Sequence, residues 1–464
     1  MARRPEDREF GRLLAAEAVS NFGAMLSRLA IPWLAALVLD ATTWQMAGLL
    51  LADVAAGALG SLVLGAWVER HGKRAVMLAC DGGRALVLAA LAGLAWQGAA
   101  TMAMLVAAAA ANGVLTMAFE VARSAWMAQR VAAHDLVHRN AQMSTAASLS
   151  ETAAFALGGW LFQWLGAVAA LVLDAMSYLA SAMCLRGVAE VPARPPAQAP
   201  PPMHAPAATH AGAAASSAPQ DAAVGHGRPQ PRWGAAARSW RREVREGLAV
   251  IATHPTLRAL ATLEALLALA GSLAGTSYMI FVARDLAFDT GPLGVIFALG
   301  GLGAVIGARL SAAVARRLGT GPAMASGLAA SAVGALCIPL APEAGTLAVA
   351  LLVAHQVVGD AGHTLFAVHD RTLRQTVVEP GLLARADAGI RGLGQAATLA
   401  GALAGGALGT VLGARGVLWT SAVVLVVAAV MAALRLRGRD VARPPDPHGE
   451  PGRQGEADTA RPAG

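Results

Sequence analysis

Apolar runs of membrane-crossing length alternate with short charged or glycine-rich breaks from residue 13 to residue 435. A helix needs about 20 predominantly apolar residues to cross the hydrocarbon core. Runs near 13–39, 45–68, 75–96, 101–125, 141–164 and 166–186 meet that requirement, as do 257–283, 291–315, 322–341, 345–369, 386–412 and 415–435. The pattern predicts an all-α polytopic membrane protein with twelve transmembrane helices, six on each side of a long polar interval. Four regions follow: a first six-helix bundle (1–189), a linker (190–256), a second bundle (257–437) and a tail (438–464). Residues 190–235 are rich in Ala and Pro with scattered Ser, Gln and His. Such a stretch cannot build a core and reads as disordered, as does the tail. The linker closes on Arg238-Ser239-Trp240-Arg241-Arg242 and 244–251, a short amphipathic helix suited to an anionic leaflet.

Charge gives the runs an orientation. Arg3, Arg4, Arg8 and Arg12 precede the first run, Arg70, Lys73 and Arg74 follow the second, and Arg130 and Arg139 follow the fourth. Arg316, Arg317, Arg371, Arg374 and Arg385 continue the alternation, while the opposite loops hold little beyond Arg284 and Arg415. The positive-inside rule places both termini, the linker and the tail in the cytoplasm. The segment Met1–Arg12 is too polar for a cleavable signal. Only 14% of residues are charged, against about 25% in soluble domains. The net charge of +7 is therefore topological, and nucleic acid is not an expected partner. The partners are the bilayer and a small molecule, with the chain as a monomer. Arginine outnumbers lysine so heavily that a GC-rich bacterial genome, and hence a bacterial plasma membrane, is the expected setting.

Cys80, Cys184 and Cys337 all fall inside apolar runs, which argues against a disulfide framework. His134 and His138 have i, i+4 spacing without a third ligand, and His204, His210 and His226 are irregularly spaced, so no metal or other cofactor is expected. Neither GxxxxGK[ST] nor G-x-S-x-G occurs, and no enzyme constellation is visible.

The halves echo each other. Arg139-Asn140-Ala141, Gly158-Gly159 and Leu185-Arg186-Gly187 recur as Arg385-Ala386-Asp387, Gly405-Gly406 and Leu436-Arg437-Gly438, offset by 246 to 251 residues. Two copies in the same orientation are the pattern of parallel-repeat transporters. Between the second and third runs lies a compact charged turn, Gly65-Ala66-Trp67-Val68-Glu69-Arg70-His71-Gly72-Lys73-Arg74, which holds the only lysine in the chain.

Two parallel sixes with this turn resemble the major facilitator superfamily. Gly65, Arg70, Gly72, Lys73 and Arg74 match its G-x-L-A-D-R-x-G-R-K/R signature, with Trp67 in place of Leu and Glu69 in place of Asp. Three further stretches are similar to the enterobactin-exporter and macrolide-efflux group: 21–33, Ala122-Arg123-Ser124-Ala125-Trp126 with Arg139-Asn140-Ala141, and 365–385. The resemblance implies a proton-driven exporter of small amphipathic or drug-like molecules that works by alternating access. A facilitator or importer of an anionic metabolite, and a secretion accessory that moves no small molecule, are the alternatives.

Ionisable groups inside membrane runs are functional candidates. Arg28 could hold an anionic substrate, pair with an acid on another helix, or sit in a structural ion pair; Pro32 follows one turn later. Asp53 reads as a proton-coupling site, a partner of Arg28 or a vestibule carboxylate. Asp360 and His363 share a helix face and form either a proton relay or a structural pair. Asp81 with Arg84 and Glu120 with Arg123 have i, i+3 spacing, and the expectation is a gating network with the Glu69–Arg70 turn. Glu17, Glu151, Asp174 and Glu264 are weaker candidates.

Overall fold

The computed structural model describes residues 5–132, 135–191, 245, 249–288, 290–343, 345–378 and 380–436. Most of the linker and all of the tail lie outside the described residues, as do His134, His204, His210 and His226. All described secondary structure is helical. Helices α1 (Pro5–Trp33), α2 (Thr43–Glu69), α3 (Lys73–Trp96), α4 (Met102–Arg130) and α5 (Leu136–Leu185) form the first bundle. The second consists of α6 (Pro255–Ile280), α7 (Thr290–Leu318), α8 (Thr320–Leu340), α9 (Thr346–Ala354), α10 (Asp360–Val377) and α11 (Pro380–Arg435). Among the described residues, eight stretches are long and apolar enough to cross a membrane: Asp7–Val38, Lys73–Trp96, Met102–Arg130, Gln163–Leu185, Pro255–Asp285, Pro292–Leu318, Thr320–Leu340 and Ala386–Arg435.

Local chemistry sets where these helices start and break. Thr42 and Gln45 form a reciprocal capping box at the start of α2, and the Thr101 hydroxyl accepts from the Met104 amide at the start of α4. Pro255 occupies the first turn of α6, where its missing N–H costs nothing. Gly166 (φ 79°) divides α5 and Gly413 (φ 69°) divides α11, each in a left-handed conformation that a side chain would disfavour. The breaks read from the sequence at residue 165 and at 413–414 fall at these two glycines.

Three helices carry a π-turn, in which one backbone bond slips to i+5. Leu34–Val38 ends α1, Phe281–Asp285 ends α6, and His355–Gly359 joins α9 to α10. The first two are repeat mates at an offset of 247 residues, and so are the positive-φ residues that follow them, Asp40 (φ 53°) and Ala287 (φ 50°). The exits share their bonding too: Leu39 N to Leu34 O and Ala41 N to Ala35 O are matched by Leu286 N to Phe281 O and Phe288 N to Val282 O. The third π-turn has no mate, since α4 is continuous.

Glu190 and Val191 belong structurally to the first bundle: the Val191 carbonyl accepts from the Lys73 amide, and Val191 is buried. Residues 249–253 are helical, with Ile251 buried against Ala261 and Ile390 of the second bundle.

Candidate functional site

Among the described residues, the buried apolar core shared by the two bundles lies at one end, and α5 also touches α7 further in, where Thr152 lies against Gly301. At the end carrying Leu39–Thr43, Gly166, Leu286, Ala341 and Gly413, a single apolar cluster contains Leu34 and Ala36 of the first half and Phe281, Leu286 and Leu293 of the second. Polar contacts reinforce it. Arg284 donates to the Ala36 carbonyl from Nε at 2.8 Å and from a terminal nitrogen, and pairs with Asp40 at 2.8 Å. The Thr43 hydroxyl donates to the Gly406 carbonyl, and a Cβ on Gly409 would fall within 2.4 Å of the Thr43 side chain, so only glycine lets α11 approach α2 there. At the opposite end, where α1 begins and α11 finishes, each bundle keeps its own core. Phe10, Met77, Trp126 and Leu185 make one; Leu260, Met324, Phe366 and Leu436 make the other. We call these the loop end and the terminal end.

The Gly65–Arg74 turn lies at the terminal end. Gly65 and Glu69 are in α2, and the Glu69 side chain lies outside what the structure describes. Lys73 is buried and donates to the carbonyls of Val68 (2.7 Å) and His71 (3.1 Å), a cation on the C-terminus of α2. Glu190 accepts from the amides of Arg74 (3.0 Å) and Ala75 (3.1 Å), a carboxylate on the N-terminus of α3. A Cβ at Gly72 would meet that carboxylate. Arg70 is exposed. Glu190 is a site residue that the sequence did not reveal, because it is brought to the turn from 116 residues away.

Asp81 and Arg84 pair with each other, fully buried in the bundle, and the Ser181 hydroxyl donates to Asp81 at 2.7 Å. They point into the bundle core and bond across to α5. Glu120 is exposed, and Arg123 pairs with Glu17 of α1 at 3.0 Å. The second half repeats that tie: Arg374 of α10 pairs with Glu264 of α6 at 3.2 Å, and also with Asp370 and with Asp387 at 3.3 Å. Glu17 and Glu264, weak candidates by sequence, are thus repeat mates, each tied to an arginine, with Arg374 one turn beyond the mate of Arg123, which is Asp370.

Arg28 on α1 and Asp53 on α2 are both exposed and within electrostatic reach of each other without a direct ion pair in the structure. Asp360 begins α10 directly after the unmatched π-turn; its carboxylate and the Gln356 amide lie against Gly300 of α7. His363 is exposed one turn on and interacts electrostatically with Asp360, as does Glu151 of α5. Beside the π-turn, Tyr278 contacts Phe297 and His355 (ring centroids 5.8 and 6.2 Å). The Tyr278 hydroxyl and His355 Nδ1 are buried without a hydrogen-bond partner in the structure. Unmatched helix geometry and unsatisfied polar atoms therefore coincide in the second half.

The family model of the Major Facilitator Superfamily matches residues 13–369. This chain belongs to the Major Facilitator Superfamily. Solved members with the same fold include a point variant of the nucleoside transporter NupG (12% identity, 93% of this chain and 100% of that one, TM-score 0.67). A bacterial homologue of the iron transporter ferroportin is similar in its inward-facing state (15% identity, 93% and 99%, TM-score 0.65). A ferroportin homologue in the outward-facing state superimposes less well (16% identity, 93% and 99%, TM-score 0.50). No curated protein matches by sequence. The superfamily and these neighbours are transporters, and this chain is a multi-pass membrane protein with their fold.

Proposed function

We propose that this protein is a secondary active transporter of the enterobactin-exporter and macrolide-efflux branch, exporting small amphipathic or drug-like molecules across a bacterial plasma membrane with protons as the driving ion. The observation that carries the reading is the one-ended closure, with a joint apolar cluster at the loop end and separate cores at the terminal end. Two bundles that share a core at one end and keep independent cores at the other can rock about their contact, which is alternating access. In this reading the chain crosses twelve times as a monomer. Gly166 and Gly413 each divide one long helix into two spans, and α9, its π-turn and α10 make one. The termini are cytoplasmic, so the state described is open to the cytoplasm, in keeping with the better superposition on an inward-facing neighbour.

The exposed, unpaired charges supply the chemistry. Arg28 and Asp53 face each other without forming an ion pair, so a polar group of the cargo can take either one. A proton that neutralises Asp53 competes with the cargo for the same carboxylate, which is the elementary requirement for exchange. Asp360, near His363 and the unmatched π-turn, is the second such carboxylate. At the terminal end the Gly65–Arg74 turn ties α2, α3 and Glu190 into one rigid unit, so the bundle moves as a body.

The test is an accumulation screen over a broad panel of toxic amphiphiles in cells expressing the wild type, Asp53→Asn or neither. At least one compound is expected to accumulate less with the wild type, and both an uncoupler and Asp53→Asn should abolish the difference. A panel with no expression-dependent compound contradicts export, and uncoupler-insensitive downhill uptake points to a facilitator.

A further inference from the structure

A buried carboxylate behind α1 takes no part in the pathway just described. Asp174 of α5 is fully buried, and its Oδ2 makes no hydrogen bond in the structure. Its Oδ1 accepts from the Ser177 hydroxyl at 3.2 Å, a donor shared with the Asp174 carbonyl at 2.8 Å. The charged group within reach of it is Arg84 of α3, beside the Ser27 and Ser177 hydroxyls; Arg84 pairs with Asp81 and also reaches Glu17 of α1, which has Arg123 and Glu120 of α4 as neighbours. Tyr178 is a neutral titratable neighbour, and Cys80 lies by Arg84 and Asp81. Arg123 is committed to Glu17 and Arg84 to Asp81. Rings of Phe119 and Tyr178, 4.6 and 4.2 Å from the Arg84 guanidinium, hold it in place. Four acids, Glu17, Glu120, Asp81 and Asp174, thus accompany two cations, and Asp174 is the fully buried one to which no cation is bonded. A buried carboxylate with neither a cation nor a full set of donors is better accommodated as the neutral acid.

The second bundle serves as an internal control. The helix breaks at Gly166 and Gly413 and the helix starts after Gly72 and Gly319 are both 247 residues apart. At that offset Asp81, Arg84 and Asp174 correspond to Leu328, Ser331 and Ser421, all buried. Ser421 donates to the Ala270 carbonyl, and Ala270 is the mate of Gly23 in α1. The same architecture thus packs with a leucine and two serines, so the fold itself does not require the ionic set. In the first half a Cβ on Gly23 would fall 2.6 Å from Asp174 Oδ1 and 2.0 Å from Ser177 Oγ, so the α1 backbone rests directly on the carboxylate. Arg28 and the buried Ser27 hydroxyl lie one turn further along α1, with Ser27 beside Asp174.

We infer that Asp174 is a proton-binding site, and that the presence or loss of its proton sets how α1, which carries Arg28, seats against α5. Loss of the proton leaves an unpaired anion under α1, which must admit water or shift to give Asp174 a share of Arg84. The consequence for transport rests on the transporter reading above, whereas the protonation itself is testable without cargo. Infrared difference spectra of purified protein in nanodiscs at neutral pH should show the carbonyl stretch of a protonated carboxyl group, absent from Asp174→Asn. Asp174→Ser, which installs the second bundle's own residue, should fold and also lack the band. The labelling rate of an Ala24→Cys thiol, with the three native cysteines replaced and each rate divided by that of the denatured protein at the same pH, should change several-fold with pH and become flat in Asp174→Asn. Spectra that coincide for wild type and both variants overturn the proton site. A pH response of that normalised rate that survives Asp174→Asn overturns the coupling to α1.

Discussion

The Arg284 guanidinium takes the carbonyl of Ala36, a group inside the π-turn that ends α1, and so ties one bundle to the other through a single side chain. Its repeat mate is Leu37, which has no donor, so the cation is present on one side only. A charged hydrogen bond of this kind contributes about 1.5–3 kcal/mol. Arg284→Leu is accordingly expected to raise the population opened at the loop end roughly tenfold or more, since about 1.4 kcal/mol is a factor of ten. Thiol labelling at loop-end positions would measure it. Leu37→Arg should act in the opposite sense by offering a second donor near Ala283. Some of these residues were legible beforehand and others were not. Arg28, Asp53, Asp81, Arg84 and Asp360 stood out because a charge in an apolar run is costly. Glu190 and Asp370 did not, because their meaning lies in partners that only the fold supplies. The expected link from Asp81–Arg84 to the turn remains a proposal, whereas the contacts in the structure run to Ser181 on α5.

Among the helices, the repeat is most visible in features that carry no hydropathy signal. The paired π-turns at Leu34–Val38 and Phe281–Asp285 follow the offset of the repeat, as do Glu17 and Glu264, whose arginine partners Arg123 and Arg374 differ in position by one helical turn. Each Arg–Glu tie fixes a terminal-end helix to its neighbour inside one bundle. Arg374 keeps Asp370 and Asp387 when Glu264 is neutralised, whereas Glu17 is the carboxylate paired with Arg123, so Glu17→Gln should lower stability by about 1–3 kcal/mol and Glu264→Gln by less. Thermal unfolding of the purified protein would record the loss. Gly409→Leu would place a side chain against Thr43 and is expected to prise α11 from α2, raising loop-end labelling without loss of folded yield. Apolar run length located the helices, and the breaks at Gly166 and Gly413 were foreshadowed by glycine at the run boundaries. The π-turns were illegible because residues 34–38 continue the apolar pattern without a break, and Arg284 and Asp285 in 281–285 read as the charged end of a run.

For the molecule as a whole, the central claim is that closure at the loop end and opening at the terminal end exchange. The fold class was legible because apolar runs and loop charge are both set by the bilayer. Which end closes was not, because it depends on cross-bundle contacts such as Thr43 with Gly406 and Leu50 with Gly275. The most direct measurement is a pair of spin-label distances in nanodiscs: Gln129 to Thr372 across the terminal end, and Gln97 to Glu343 across the loop end. In the wild type the terminal-end distance should be long and the loop-end distance short. Arg284→Leu should add a second population in which the first shortens as the second lengthens. Distances that stay single in both proteins, or that lengthen together, would contradict alternating access.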